Sequence, residues 1–167
     1  MRVAIIGCGS IARQRHAHEY SLNSNVEIAG FFDFVSERAQ ELAEEYGSKA
    51  YSSLDELLED KSVDAVSVCV ANAYHAETTI KALRSGKHVL CEKPMAISLE
   101  DCEEMIKEAE RSGKRLMIGH NQRLTPAHRR AKEIIASGEM GKVLTFFSMF
   151  GHGGPESWSI EKSRNTW

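Results

Sequence analysis

Six residues constrain this chain more than any others: Gly7-Cys-Gly9-Ser-Ile-Ala12, directly after the strand-like run RVAII and directly before a helical pattern. In that setting Gly7 permits a tight turn, Gly9 lets the backbone approach a pyrophosphate, and Ala12 keeps the helix close to the strand. A helix opening at Ser10 and Ile11 would aim its unpaired N–H groups and the positive end of its dipole at that pyrophosphate. The next strand, VEIAGFFD, ends in Asp33, about 20 residues after the loop, where a carboxylate accepts hydrogen bonds from an adenine-ribose diol. The same carboxylate repels the extra phosphate of NADP. Phe34 follows it and the nearest arginine, Arg38, lies a helical turn further on, so NAD is expected in preference to NADP.

The rest of the chain alternates in the same way. SERAQELAEEYG reads as a helix stopped by Gly47. SSLDELLED carries a capping box, with Ser53 as cap and the Glu56 carboxylate reaching back to its N–H. VDAVSVCV reads as a strand, His75 to about Ser85 as a helix closed by Gly86, KHVLC as a strand, about Ser98 to Arg111 as a helix and RLMIG as a strand. Helices between buried strands impose crossover connections and hence a parallel sheet covered on both faces. The prediction is a doubly wound α/β domain, a Rossmann fold, over residues 1–120. Residues 121–167 are expected to supply a linking helix stopped at Gly138, a strand in KVLTFFSMF, and the start of an incomplete α+β second domain.

Composition excludes other classes. The formal net charge is -3 and the pI about 6.2, which gives no basic field for a nucleic-acid backbone. No apolar run reaches membrane-spanning length and Met1 leads straight into a strand, so a cytoplasmic protein is expected. Cys8, Cys69, Cys91 and Cys102 show no C-x-x-C spacing, which suits free thiols in a reducing compartment. No metal site is expected: His16 and His18 sit two apart on a helix and point to different sides, His16 being read as solvated or cofactor-flanking. Arg129, Arg130 and Lys132 read as a solvated helix face, and Trp158 and Trp167 as residues of an interface.

One strand ends unusually, in Cys91-Glu92-Lys93-Pro94. In an open α/β sheet the functional crevice lies beyond the carboxyl ends of the strands. Proline forces the preceding residue into an extended conformation and makes a cis bond accessible, so Lys93 is held at the tip of its strand. In a partly dry cleft such a lysine can donate hydrogen bonds to a hydroxyl or a developing alkoxide, with Glu92 orienting it or touching the cofactor.

Together, the glycine loop, the acid after the second strand, Asn72-Ala-Tyr-His75-Ala-Glu77 after VSVCV, GKHVLCEKPMA at 86–96 and Gly119-His-Asn-Gln-Arg123 after RLMIG resemble the glucose-fructose oxidoreductase/inositol dehydrogenase/MocA (Gfo/Idh/MocA) family. The resemblance implies an NAD(P)-dependent oxidoreductase acting on a sugar, inositol or related polyol. Lys93 would be catalytic beside the nicotinamide, Pro94 would follow a cis bond, and Asn72, His75, Glu92, Asn121 and Arg123 would contact the cofactor. Val70-Ala71-Asn72 stands where the family often has Thr-Pro-Asn. The resemblance also implies a second domain that binds substrate, often mediates homo-oligomers, and brings an Asp and a His to the lysine. That segment is expected beyond Trp167, so the chain alone is predicted to be inactive. The alternatives from the same residues are a non-catalytic dinucleotide-binding sensor or partner-completed module, and an NAD-dependent glycosidase.

Overall fold

The structure, a computed structural model, describes residues 1–151; Trp158, Trp167 and most of the Gly- and Ser-rich tail lie outside them. Six strands form one parallel sheet: β1 (Arg2–Ile6), β2 (Glu27–Phe32), β3 (Lys49–Ala50), β4 (Ala65–Val68), β5 (His88–Cys91) and β6 (Leu116–Ile118). Their order is β3-β2-β1-β4-β5-β6, the doubly wound arrangement expected from the alternating pattern. All four β4 residues are buried, as a central parallel strand covered on both faces requires.

The helices are α1 (His18–Ser21), α2 (Ser36–Glu45), α3 (Leu54–Glu59), α4 (His75–Arg84), α5 (Leu99–Ser112) and α6 (Pro126–Ser137). They divide the core in two. One cluster joins Ile5, Cys8, Ala12, Ala17, Phe31 and Leu42; the other joins Ile6, Leu57, Val66, Val68, Leu83, Val89 and Met105. Adjacent β1 residues fall in different clusters because successive side chains point to opposite faces of the sheet. Among the described residues no helix is long and apolar enough to cross a membrane.

Four expectations change. The helix after the glycine loop opens at Ser10, runs as a π-helical stretch over Ala12–Ala17, and continues as α1. A two-residue edge strand, β3, was not foreseen; Gly30 of β2 makes room for it, since a Cβ there would lie 2.3 Å from the Lys49 carbonyl oxygen. The Ser53 hydroxyl caps α3 by accepting the Glu56 N–H at 3.0 Å, but the Glu56 carboxylate accepts from Ser52, N–H at 2.8 Å, and not from the cap N–H. Lys49, whose Nζ is 2.7 Å from Glu56 Oε1, also holds that carboxylate beyond the cap. KVLTFFSMF forms no strand: residues 143–150 carry no ladder, and Leu144, Phe146, Phe147 and Met149 are exposed. β-propensity alone makes no strand where no neighbouring strand takes up its backbone groups.

Candidate functional site

The strand order brings the predicted residues to one edge of the sheet. Connections run from β1 outward to β2 and β3 on one side, and from β4 to β5 and β6 on the other, so the segments that follow β1 and β4 diverge, and a topology of this kind places its crevice beyond their carboxyl ends. Gly7–Ala12 leave β1, Asp33 leaves β2, Asn72 and His75 leave β4, Glu92–Lys93–Pro94 leave β5, and Asn121 and Arg123 leave β6.

Gly7 has φ +94°, and a Cβ there would lie 2.6 Å from the Cys69 carbonyl carbon at the end of β4. Only glycine lets the turn pass so close to the next strand. Gly9 differs: its φ is not in the left-handed region and a Cβ there would meet no atom within 4 Å. That position opens onto free space beside the first helical turn, which begins at Ser10. Ala12 is fully buried against Ile5 and Cys8, as close helix–strand packing demands.

Asp33 holds this loop in place. Its Oδ2 accepts the Cys8 N–H at 2.6 Å and its Oδ1 the Val35 N–H at 2.8 Å. The Arg38 guanidinium, a helical turn further along the chain, comes within 4.0 Å of Oδ1 because α2 folds back over the end of β2. Arg13 reaches the same corner, donating from Nε to the Cys8 carbonyl at 3.2 Å and pairing with Glu41 at 2.7 Å. Burial, then the Asp33 charge, push the Cys8 thiol up to about 12, which leaves it a neutral packing group rather than a nucleophile.

Glu92 is anchored from the first helix. His16 is buried, not solvated, with Nε2 3.0 Å from Glu92 Oε1 and Nδ1 3.3 Å from Ser67 Oγ. The Tyr20 hydroxyl meets the same Ser67 oxygen at 2.5 Å. A polar chain therefore runs Tyr20–Ser67–His16–Glu92 through the sheet's central strand to the residue before Lys93. Burial raises the Glu92 carboxyl, but the His16 hydrogen bond and charge, with the Lys93 N–H, outweigh it and hold the group below its ordinary value. Glu92 is thus an anion fixed at the crevice floor. Gly119 closes this floor from β6, where a Cβ would come within 3.1 Å of Glu92 Oε1.

His75 clamps the next residue. It is buried at the start of α4, with Nδ1 2.6 Å from the Pro94 carbonyl and Nε2 3.0 Å from the Val70 carbonyl. A neutral ring donates to one of these acceptors and an imidazolium to both. The Lys93–Pro94 bond is cis. Lys93 itself is exposed, so the described residues do not form the partly dry cleft expected around it; nothing among them covers the β5 end of the edge. Asn121 and Arg123, on the short helical turn Asn121–Leu124, are exposed as well. Two participants escaped the sequence reading: the His16–Glu92 contact, between residues 76 positions apart, and the pairing of Phe34 with Tyr74 at the crevice rim.

Comparison with known proteins agrees with this geometry. Residues 1–120 match the profile of the Gfo/Idh/MocA oxidoreductase family, NAD-binding Rossmann fold. The chain is 35% identical over 165 residues to a 1,5-anhydro-D-fructose reductase of Ensifer adhaerens, covering 96% of the chain and 49% of that protein. It is 33% identical over 147 residues to an inositol 2-dehydrogenase of Salmonella typhimurium, covering 86% and 44%. Among solved structures, KijD10, a 3-ketoreductase from Actinomadura kijaniata crystallised with NADP, superposes with a TM-score of 0.77 at 32% identity over 85% of this chain and 45% of that one. The chain spans about half the length of the curated relatives it matches. With its glycine loop, β2 acid and Glu-Lys-Pro strand end all at one sheet edge, the chain belongs to the Gfo/Idh/MocA family of oxidoreductases, of which it carries the NAD-binding Rossmann fold.

Proposed function

We propose that residues 1–120 bind a nicotinamide dinucleotide, and that the chain is the cofactor-binding part of an oxidoreductase moving hydride between that cofactor and a sugar, inositol or related polyol. The observation that carries this is Gly9, an ordinary backbone position with empty space where its Cβ would project, beside the start of a helix. The cradle fits a pyrophosphate: Gly7, Gly9, Ser10, Ile11 and Ala12 would hold it, and Asp33 would accept from the adenine ribose. Asn72, His75, Glu92, Pro94, Asn121 and Arg123 line or shape the nicotinamide end, and residues from 121 onward lead into the substrate-binding part.

Asp33 favours NAD, while Arg38 at 4.0 Å keeps NADP as the alternative. When bound, the nicotinamide supplies the hydride donor or acceptor. Lys93 reaches from the end of β5 to donate to the substrate oxygen and stabilise its developing negative charge. Glu92, fixed as an anion by His16, lies next to that ammonium. The protons of the reaction require a base near Lys93 that we place beyond Trp167, and the chain alone is therefore expected to show little or no turnover.

The test is calorimetric titration of NADH and then NADPH into the 167-residue chain, followed by turnover assays with inositol and aldoses. Micromolar NADH binding without turnover supports the reading. Absence of binding to both dinucleotides defeats it, and robust turnover by this chain defeats the assignment of the base.

A further inference from the structure

The amino ends of the strands, at the edge of the sheet opposite the crevice, frame a cavity of about 450 Å³. Its lining includes Lys61 and Asp64 ahead of β4, Ser85, Lys87 and His88 at the start of β5, and Lys114 ahead of β6. The volume falls in the range of small-molecule sites, about 300–1,000 Å³, and exceeds what a bare inorganic ion fills. None of these residues has a part in the hydride chemistry proposed above.

Lys87 is the unusual member. It is 2% exposed, and its Nζ donates to the Asp60 carbonyl at 2.5 Å and the Val63 carbonyl at 2.8 Å. An ammonium has three N–H groups, so the two carbonyls fix its position and leave one donor. Burial pushes this ammonium below its ordinary value and the Lys61 charge pushes the same way; Asp60 and Asp64 oppose them, and Lys114 adds a smaller push downward. Like charges are therefore gathered about a desolvated one. Lysines suit the negative ends of α4 and α5, which finish on this side, but Lys87 donates to carbonyls that follow α3 and not to those of either helix. The nearby carboxylates are engaged elsewhere. Asp60 accepts the Tyr51 hydroxyl at 2.8 Å and the Ser62 N–H at 2.9 Å, and Asp64 Oδ2 accepts the Arg2 N–H at 2.7 Å. Among the described residues no carboxylate forms an ion pair with Lys61 or Lys114. The Lys114 stem lies over Gly86, where a Cβ would come 3.8 Å from its Cε. His88 Nδ1 accepts the Arg115 N–H at 3.0 Å, so the neutral ring carries its proton on Nε2 and keeps one donor.

We propose that this cavity binds a small phosphorylated sugar or polyol, with Lys61 and Lys114 on the phosphoryl group in front of the fixed Lys87 charge, and Asp64 and His88 on the hydroxyls. Lysine meets a phosphoryl group as a point charge, which suits two mobile side chains better than a single rigid fork. Asp64 accepts from a ligand hydroxyl and His88 Nε2 donates to one. The site goes beyond the dinucleotide reading and is independent of it, because it occupies the other edge of the sheet.

The experiment titrates ribose 5-phosphate, inorganic phosphate and ribose into the 167-residue chain at fixed ionic strength. It is repeated with the Lys61→Gln/Lys114→Gln double variant and with Lys114→Arg. Neither lysine is part of the core, so thermal melting should show that both variants fold. Ribose 5-phosphate should bind the parent more tightly than inorganic phosphate does, and ribose should not bind measurably. Loss of two charge-assisted contacts predicts an affinity for ribose 5-phosphate at least about 10-fold lower in the double variant, while Lys114→Arg, which keeps the charge, stays within about threefold. NADH should neither displace ribose 5-phosphate from the parent nor bind the double variant differently. A parent that does not bind ribose 5-phosphate overturns the proposal, as does a folded double variant that binds it as well as the parent. Displacement by NADH would move the sugar phosphate to the glycine loop and defeat this site while leaving the dinucleotide reading intact. Equal affinity for inorganic phosphate would defeat the assignment to a hydroxylated ligand.

Discussion

The two ends of the crevice are built differently. At the β1–β2 end the chain is packed and internally satisfied: Ala12 is buried, Gly7 presses on β4, and both Asp33 oxygens already accept backbone N–H groups. At the β5–β6 end Glu92 and Pro94 are anchored from below, yet Lys93, Asn121 and Arg123 face solvent. The difference teaches that the end proposed to recognise the dinucleotide is preformed within residues 1–120, whereas the end proposed to react is only half enclosed by the described residues. Preformed loops bind without an ordering penalty; an open lysine needs another surface to exclude water.

The sharpest way to break that comparison is Gly7→Ala. Positive φ combined with a 2.6 Å approach to Cys69 predicts a loss of about 3 kcal/mol or more in urea unfolding, with NADH binding abolished. Gly9→Ala supplies the contrast: unfolding should change by less than about 1 kcal/mol, because the new methyl meets nothing, while NADH affinity drops as it enters the pyrophosphate space. Asp33→Asn comes next, with NADH affinity expected to fall about 10- to 100-fold by calorimetry, the range for losing hydrogen bonds to a charged group; an unchanged affinity would show that Asp33 serves the loop alone.

His16→Leu probes the anchored floor of the open end. Leaving Glu92 and Ser67 short of a buried partner should cost about 1–3 kcal/mol in unfolding. The pH dependence has a definite sign. The Glu92 carboxyl is held below its ordinary value of 4.5, so its ionised pairing adds stability above that pH and loses it as pH falls through the depressed folded value. Acid unfolding of His16→Leu should therefore be shallower below about pH 4.5 than that of the parent. The smallest effect belongs to Lys93→Ala: stability within about 0.5 kcal/mol and NADH affinity within about threefold, since the side chain is exposed. In a protein that carries this chain together with downstream sequence, the same change should lower turnover at least about 100-fold.

Much of this was legible because its signals are local. Strand–loop–helix order, the Gly7–Ala12 spacing, the Ser53 cap that accepts the Glu56 N–H at 3.0 Å, and the Gly47, Gly86 and Gly138 stops with positive φ each depend on neighbours in sequence. The β3 strand escaped because two residues carry no periodicity. KVLTFFSMF misled for the opposite reason, since its pattern is strong but pairing is a property of the neighbour. Contacts such as His16–Glu92 and Phe34–Tyr74 join residues that only the crossover topology brings together. Arg38 lies a helical turn beyond Asp33 along the chain, yet α2 turns it back toward the carboxylate.

Gly119 carries a consequence for anyone who redesigns this protein. Its missing side chain lets the end of β6 lie against the Glu92 carboxylate, which in turn leans on His16 of the first helix. Positions 119, 92 and 16 therefore form one mutational unit spread over a hundred residues of sequence. A library that varies them separately would sample mostly incompatible pairs; one that varies them jointly would explore alternative floors for the same crevice.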